Sequence, residues 1–154
     1  MNPNGHISVL EIDHGQYLTG SNAILFYLSQ GIKFLPVNTW QQAQIMQWLF
    51  FEQYSHESNI ATSRYWLSIL KESKKQKDTL EQKQKAGYAA LGVTEKHLAQ
   101  YDFFVGNQYS ITDIALYAYT YVAHEGNFDL GSYSNICIWL KQVSEQPRYL
   151  RISA

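Results

Sequence analysis

The sequence predicts a mainly α-helical protein that opens with a short strand–strand–helix unit. Three observations carry that prediction. Residues 1–36 place short apolar runs between turn residues; from Asn38 onward nearly every segment has helical spacing; and all four tryptophans lie in that second part. With 12 Tyr, 7 Phe and 4 Trp among 154 residues, there is enough bulky apolar material for a packed core, which excludes disorder. At roughly 150 residues per domain, the length fits one compact unit or two small ones sharing a core.

The strands are expected over residues 6–10 and 16–18. Asp13-His14-Gly15 has the chemistry of a hairpin tip, because glycine takes a positive φ without steric cost. Ser21 then suits the N-cap of a short helix through Leu28, and Gly31 suits its C-terminal stop. Residues 40–57 contain neither Gly nor Pro, and Thr39 with Gln42 fits a capping box. Apolar residues of this helix occupy nearly every angle around its axis. That pattern suits either burial on two faces, one of them by a partner, or a central place in a monomeric bundle.

Residues 71–85 hold six lysines broken up by three acids, the pattern of a solvated turn or helix end. Helical spacing resumes near Leu80 and runs to about Phe104, with a break expected at Gly92. Next comes Tyr109-Ser110-Ile111-Thr112-Asp113-Ile114, a capping box of Ser110 and Asp113 with Tyr109 and Ile114 as a hydrophobic staple. Ile111, Ile114, Ala115, Ala118, Tyr121 and Val122 follow as a one-sided stripe. A final helix carries Ile136, Trp139, Leu140 and Val143, and Pro147 marks its end.

Several function classes drop out. A net charge of −1 gives no basic surface for nucleic acid. The longest apolar run, 114–123, contains Thr120 and three tyrosines and falls well short of the ~18–20 residues of a membrane span. The start has no basic stretch followed by an apolar one, and the lone Cys137 cannot form an internal disulfide. A soluble, cytoplasmic protein is expected. His56-Glu57 and His124-Glu125 match no metal-ligand spacing, so no metal is expected. Cys137, between two isoleucines, reads as a small buried hydrophobe.

Five ordered segments resemble the glutathione S-transferase family. Asn2-Pro3-Asn4-Gly5-His6-Ile7-Ser8-Val9-Leu10 is similar to its N-P-x-G-x-V-P-x-L strand entry, and Leu18-Thr19-Gly20-Ser21-Asn22-Ala23-Ile24 through Leu28 to its L-x-E-S-x-A-I-x-x-Y-L segment. Trp48-Leu49-Phe50-Phe51-Glu52-Gln53-Tyr54 looks like the first helix of the family's helical domain. The segment 104–115 resembles its capping-box signature, and 133–147, with Trp139, its closing helix. The resemblance implies a truncated thioredoxin-like β-β-α remnant at 1–36 and an all-helical C-terminal domain at 38–154. It also implies a member lacking the first strand–helix–strand, the unit that bears the thiol-activating Tyr, Ser or Cys. No catalytic residue is therefore assigned.

What survives of the family's site is vestigial by this reading. Ser21 occupies the position that binds the γ-glutamyl carboxylate of glutathione, although a plain helix cap accounts for it as well. Gly20 replaces the acidic or Gln residue before it. Ser8 replaces the cis-proline, which is expected to remove the geometry by which Ile7 would offer backbone hydrogen bonds; Asn22 is a bystander. Tyr54, Arg64 and Tyr65 fall where the family borders its hydrophobic-substrate pocket, and Ser110 with Asp113 is structural. The expected function is a degenerate glutathione S-transferase-like protein without efficient conjugation, taking no cofactor beyond glutathione as a possible co-substrate. It would bind glutathione or a hydrophobic small molecule weakly and form a homodimer. The alternatives are a fragment of an active transferase and a non-catalytic interaction module.

Overall fold

The computed structural model describes residues 2–5, 7–71 and 77–151. The opening hairpin pairs β1 (Val9–Asp13) with β2 (Gln16–Thr19), antiparallel, Leu10 opposite Leu18 and Glu11 opposite Tyr17. A bulge between Glu11 and Asp13 precedes the tip, where Gly15 has φ 81°. His6, expected to start the first strand, lies outside the described residues. The Ile7–Ser8 bond is cis, which corrects the expectation that serine removes that geometry.

Helix α1 (Ser21–Leu28) follows at once, capped by Gly20 and not by Ser21. Gly20 has φ 89°, in the left-handed region that favours glycine, so the chain turns one residue earlier than capping chemistry alone suggests. Gly31, at φ 74°, lies just beyond the end of the helix. Phe34 offers its carbonyl to the Ile111 amide at 3.1 Å, tying this unit to the helices behind it.

One long helical run then covers 39–69. It comprises α2 (Thr39–Phe51), a π-helical stretch Glu52–Glu57, α3 (Ser58–Arg64) and a second π-helical stretch Tyr65–Ile69. Its cap is Asn38, whose Oδ1 accepts the Gln41 amide at 3.1 Å, one residue before the expected Thr39. The apolar residues do encircle α2, but only Ile45, Trp48 and Leu49 are buried, while Trp40 and Phe50 stay exposed.

Helix α4 (Lys77–Leu98) runs straight through Gly92, so the break expected there is absent. Its packing neighbours supply what the glycine costs: Leu91 is fully buried beside it, and Thr94 returns its hydroxyl to the Ala90 carbonyl at 3.1 Å. Much of the lysine-rich stretch expected to be a solvated turn, 72–76, lies outside the described residues. Helix α5 (Ile111–Thr120) is central, and burial extends beyond the expected stripe to Thr112, Leu116 and Thr120. A 3₁₀ turn, Ala123–Gly126, leads toward α6 (Ser134–Ser144). On α6 the buried face is Ile136, Trp139 and Val143, and Cys137 lies about 100° round the axis from Ile136. Cys137 is therefore exposed, contrary to the sequence reading.

The capping box at Ser110 and Asp113 is present and goes further than a cap. The Asp113 carboxylate accepts from the Ser110 amide (2.9 Å), the Ser110 hydroxyl (3.0 Å), the Phe104 amide (3.3 Å) and the Trp139 indole (2.9 Å). It joins α5, α6 and the preceding loop in one buried knot. No helix among the described residues is long and apolar enough to cross a membrane.

Candidate functional site

Two cavities flank α1. The smaller, of about 300 Å³, lies between the amino end of α1, the π-helical stretch Glu52–Glu57 and α5; Ser8, Ser21, Asn22, Glu52, Glu57 and Tyr119 contribute its polar groups. Leu25, Ile114, Ala115 and Ala118 form its apolar wall. Ser21 is the first residue of α1, and its hydroxyl caps none of the helix's own amides, so hydroxyl and amides are free for an anion. The helix-cap role considered for Ser21 falls to Gly20.

The acid of this cavity is Glu52, 2% exposed. The Asn22 amide donates to Glu52 Oε2 at 2.8 Å and to the Leu49 carbonyl at 3.1 Å, so Asn22 bolts α1 to the long helix and is no bystander. Burial pushes the Glu52 carboxyl up to about 7; the Asn22 hydrogen bond opposes this and Glu57 adds to it. Burial also raises the Tyr119 hydroxyl, with Glu57 and Glu52 next. Glu52 and His56 both belong to the π-helical stretch Glu52–Glu57, and turns of this kind recur where a helix positions a functional group. His56 is fully buried, and its Nε2 lies 2.9 Å from Thr120 Oγ1. That hydroxyl spends its one proton on the Leu116 carbonyl at 2.7 Å, so Nε2 carries the hydrogen in this contact. His56 Nδ1 has no partner, and burial drives the imidazole down to about 3, leaving it neutral.

The larger cavity, about 620 Å³, opens between α1 and α2 and is mostly apolar, with Phe26, Tyr27, Met46, Leu49 and Phe50 in its wall. Tyr54, Arg64 and Tyr65 line neither cavity. Tyr54 is 85% exposed, Tyr65 is 47% exposed, and Arg64 Nε is engaged by Glu125 Oε2 at 2.6 Å. Of the other sequence candidates, Ser8, Ser21 and the neighbouring Gly20 are brought together, while Ile7 stands 97% exposed. Glu52 and Asn22 are the functional candidates that the sequence reading missed. The available signal was a lone acid after Leu49-Phe50-Phe51, an unusual place for a charge. Among the described residues no group of three or more His, Cys, Asp or Glu could hold a metal ion.

This arrangement, a hairpin and helix set against a helical bundle with a serine at the junction, is that of a thioredoxin-like unit beside a transferase bundle. Residues 43–147 match the family "Glutathione S-transferase, C-terminal domain", and the chain belongs to that family. A crystal structure of a glutathione S-transferase from Pseudomonas fluorescens Pf-5 superposes with a TM-score of 0.95 at 46% identity, over 97% of this chain and 75% of that one. Ure2p in complex with glutathione superposes with a TM-score of 0.80 at 25% identity, over 95% of this chain and 71% of that one. The disulfide-bond oxidoreductase YghU of Escherichia coli K12 is 30% identical across 98% of this chain. The chain spans 56% of the length of that relative.

Proposed function

We propose that this chain is a glutathione S-transferase-like protein that holds the γ-glutamyl end of glutathione weakly and, by itself, conjugates it only at background level. The observation that carries the reading is the cavity in which the open amino end of α1, with Ser21, faces the buried carboxyl of Glu52. The γ-glutamyl group has a carboxylate and an ammonium on one carbon. The carboxylate suits the Ser21 hydroxyl and amides, and the ammonium suits Glu52 in its ionised form. The glutathione complex of Ure2p supports a ligand of this kind.

The same lining argues against turnover by this chain. A thiolate is favoured by a nearby positive charge, whereas the ionisable acids in this cavity's lining are two carboxyls, which disfavour it. No segment of the sequence resembles the family's strand–helix–strand with its thiol-activating residue. The exposed free thiol of Cys137 suits a reducing, cytoplasmic compartment.

Calorimetry and a conjugation assay with an aryl halide test both halves. Weak glutathione binding should drop about tenfold in Ser21→Ala, the loss of one hydrogen bond to a charged group. Tight binding that survives this change, or glutathione-dependent turnover well above the solution rate, would overturn the proposal.

A further inference from the structure

A third cleft, of about 480 Å³, lies at the opposite end of α2 from the glutathione candidate site and shares no lining residue with it. Its walls are aromatic and amide. Trp48, 8% exposed, meets the His97 ring edgewise at 4.7 Å between centroids. Tyr101 and Phe104 both stack on His97, at 4.9 Å and 29° and at 5.3 Å and 5°. Tyr101 is 49% exposed, and Trp40, at the mouth, is 70% exposed. A column of stacked rings thus begins in the core and ends on an open tyrosine, with a free indole beside it.

Along the other wall, Gln41, Gln44 and Gln47 repeat at three-residue spacing on α2. Each terminal amide presents a donor and an acceptor side by side, and no side-chain hydrogen bond within the described residues engages them. His97 Nε2 is buried with no partner, and burial lowers the pKa of the ring, so the imidazole is neutral. Gly106, with φ 61°, closes the cleft where a side chain would run into Gln41. Among the described residues, no acidic side chain, lysine or arginine lines it.

We infer that this cleft is a second binding site, for an uncharged planar heterocycle of purine size with adjacent donor and acceptor atoms on its edge. Ring stacking and the amides specify it jointly. A flat ring laid on Tyr101 and Trp40 extends the existing column, and aromatic faces accept such rings with little regard to their identity. The glutamine amides then read the edge, as amides do when they bond a base in two places at once. The uncharged lining among the described residues favours a base or nucleoside over a nucleotide. The volume lies within the range of small-molecule sites.

Adenosine and guanosine are the probes, titrated by calorimetry and followed through the Trp40 indole and glutamine amide resonances. We expect saturable binding of at least one, no tighter binding of its 5′-monophosphate, and shifts confined to the cleft. Trp40→Ala should weaken binding about tenfold, the loss of one stacking face, while the circular dichroism spectrum of this exposed-site variant stays unchanged. Gln44→Ala should weaken it several-fold, by the loss of one amide. Failure of both nucleosides to saturate at millimolar concentration would overturn the proposal. So would binding indifferent to Trp40→Ala, or a monosaccharide that binds here where nucleosides do not.

Discussion

Asp113 concentrates more structural consequence than any other single carboxylate here, because four donors from three segments converge on it inside the core. Burial pushes its carboxyl up to about 6 despite those donors. Asp113→Ala leaves the Trp139 indole and the Ser110 amide without an acceptor in the interior. The expected loss is roughly 3 kcal/mol, or ~10 °C in Tm, read by thermal unfolding. Glu52 makes a different prediction, through pH. Its carboxyl rises from 4.5 unfolded to about 7 folded, so its contribution is fully present below 4.5 and is lost as pH rises through 7. Glu52→Gln stays neutral throughout. The stability gap between the variant and the parent should therefore widen from pH 4.5 to 7, by up to roughly 3 kcal/mol, and stay constant above. His56 runs the other way: its contribution is in place above 6.5 and is lost as pH falls through about 3. Both proteins share that limb, so it cancels in the comparison. A gap that does not move with pH would mean that Glu52 titrates as a free glutamate.

Two glycines on α4 test how far helix propensity yields to packing. At Gly92 a Cβ meets nothing within 4 Å, and Gly92→Ala should stabilise the protein by roughly 0.5–1 kcal/mol. At Gly87 the same Cβ would stand 2.6 Å from the Phe128 ring, which is itself 2% exposed and has nowhere to go. Gly87→Ala should cost roughly 1–3 kcal/mol in spite of the propensity gain, and urea titration of the pair reads the opposite signs. The elements show where sequence reading succeeds and where it stops. Helix identities and the Ser110–Asp113 box were legible because they rest on periodicity and local spacing, and the fold family through the resemblance of five ordered segments. The caps of α1 and α2 were each misplaced by one residue. Ser21 and Thr39 are competent cappers, but the backbone turn falls at Gly20 and Asn38, decided by where the chain enters the bundle. The Asn22–Glu52 contact spans 30 residues and leaves no local pattern, so half of the candidate site was hidden. Cys137 was misjudged because its isoleucine neighbours face different ways: Ile136 is fully buried, and Ile138 is 57% exposed.

For the molecule as a whole, the open question of assembly turns on the apolar cleft between α1 and α2. Phe50 is 64% exposed and Tyr27 is 44% exposed on its rim, a poor surface to leave in water. A second copy related by a two-fold axis would cover it. Light scattering should then give twice the chain mass, and Phe50→Asp should give the single mass with an unchanged helical spectrum. A parent protein that is monomeric at high concentration would overturn the expected homodimer. The wide turn in the long helix has a consequence for how the chain tolerates a change of length. From Trp48 to Ile60 is twelve residues, which in a regular α-helix places the two about 120° apart. Both are buried, and the wide turn between them absorbs roughly one residue, bringing them back within about 20°. Packing of the bundle would be served as well by a chain one residue shorter at Gln53, Tyr54 or Ser55. Glu52 and His56, four positions apart, share the buried side of the run between Trp48 and Ile60, as residues at that spacing do in any helix. A single-residue deletion at Gln53, Tyr54 or Ser55 should therefore leave a folded bundle with Trp48, Glu52 and Ile60 still turned inward, and thermal unfolding reads whether it does.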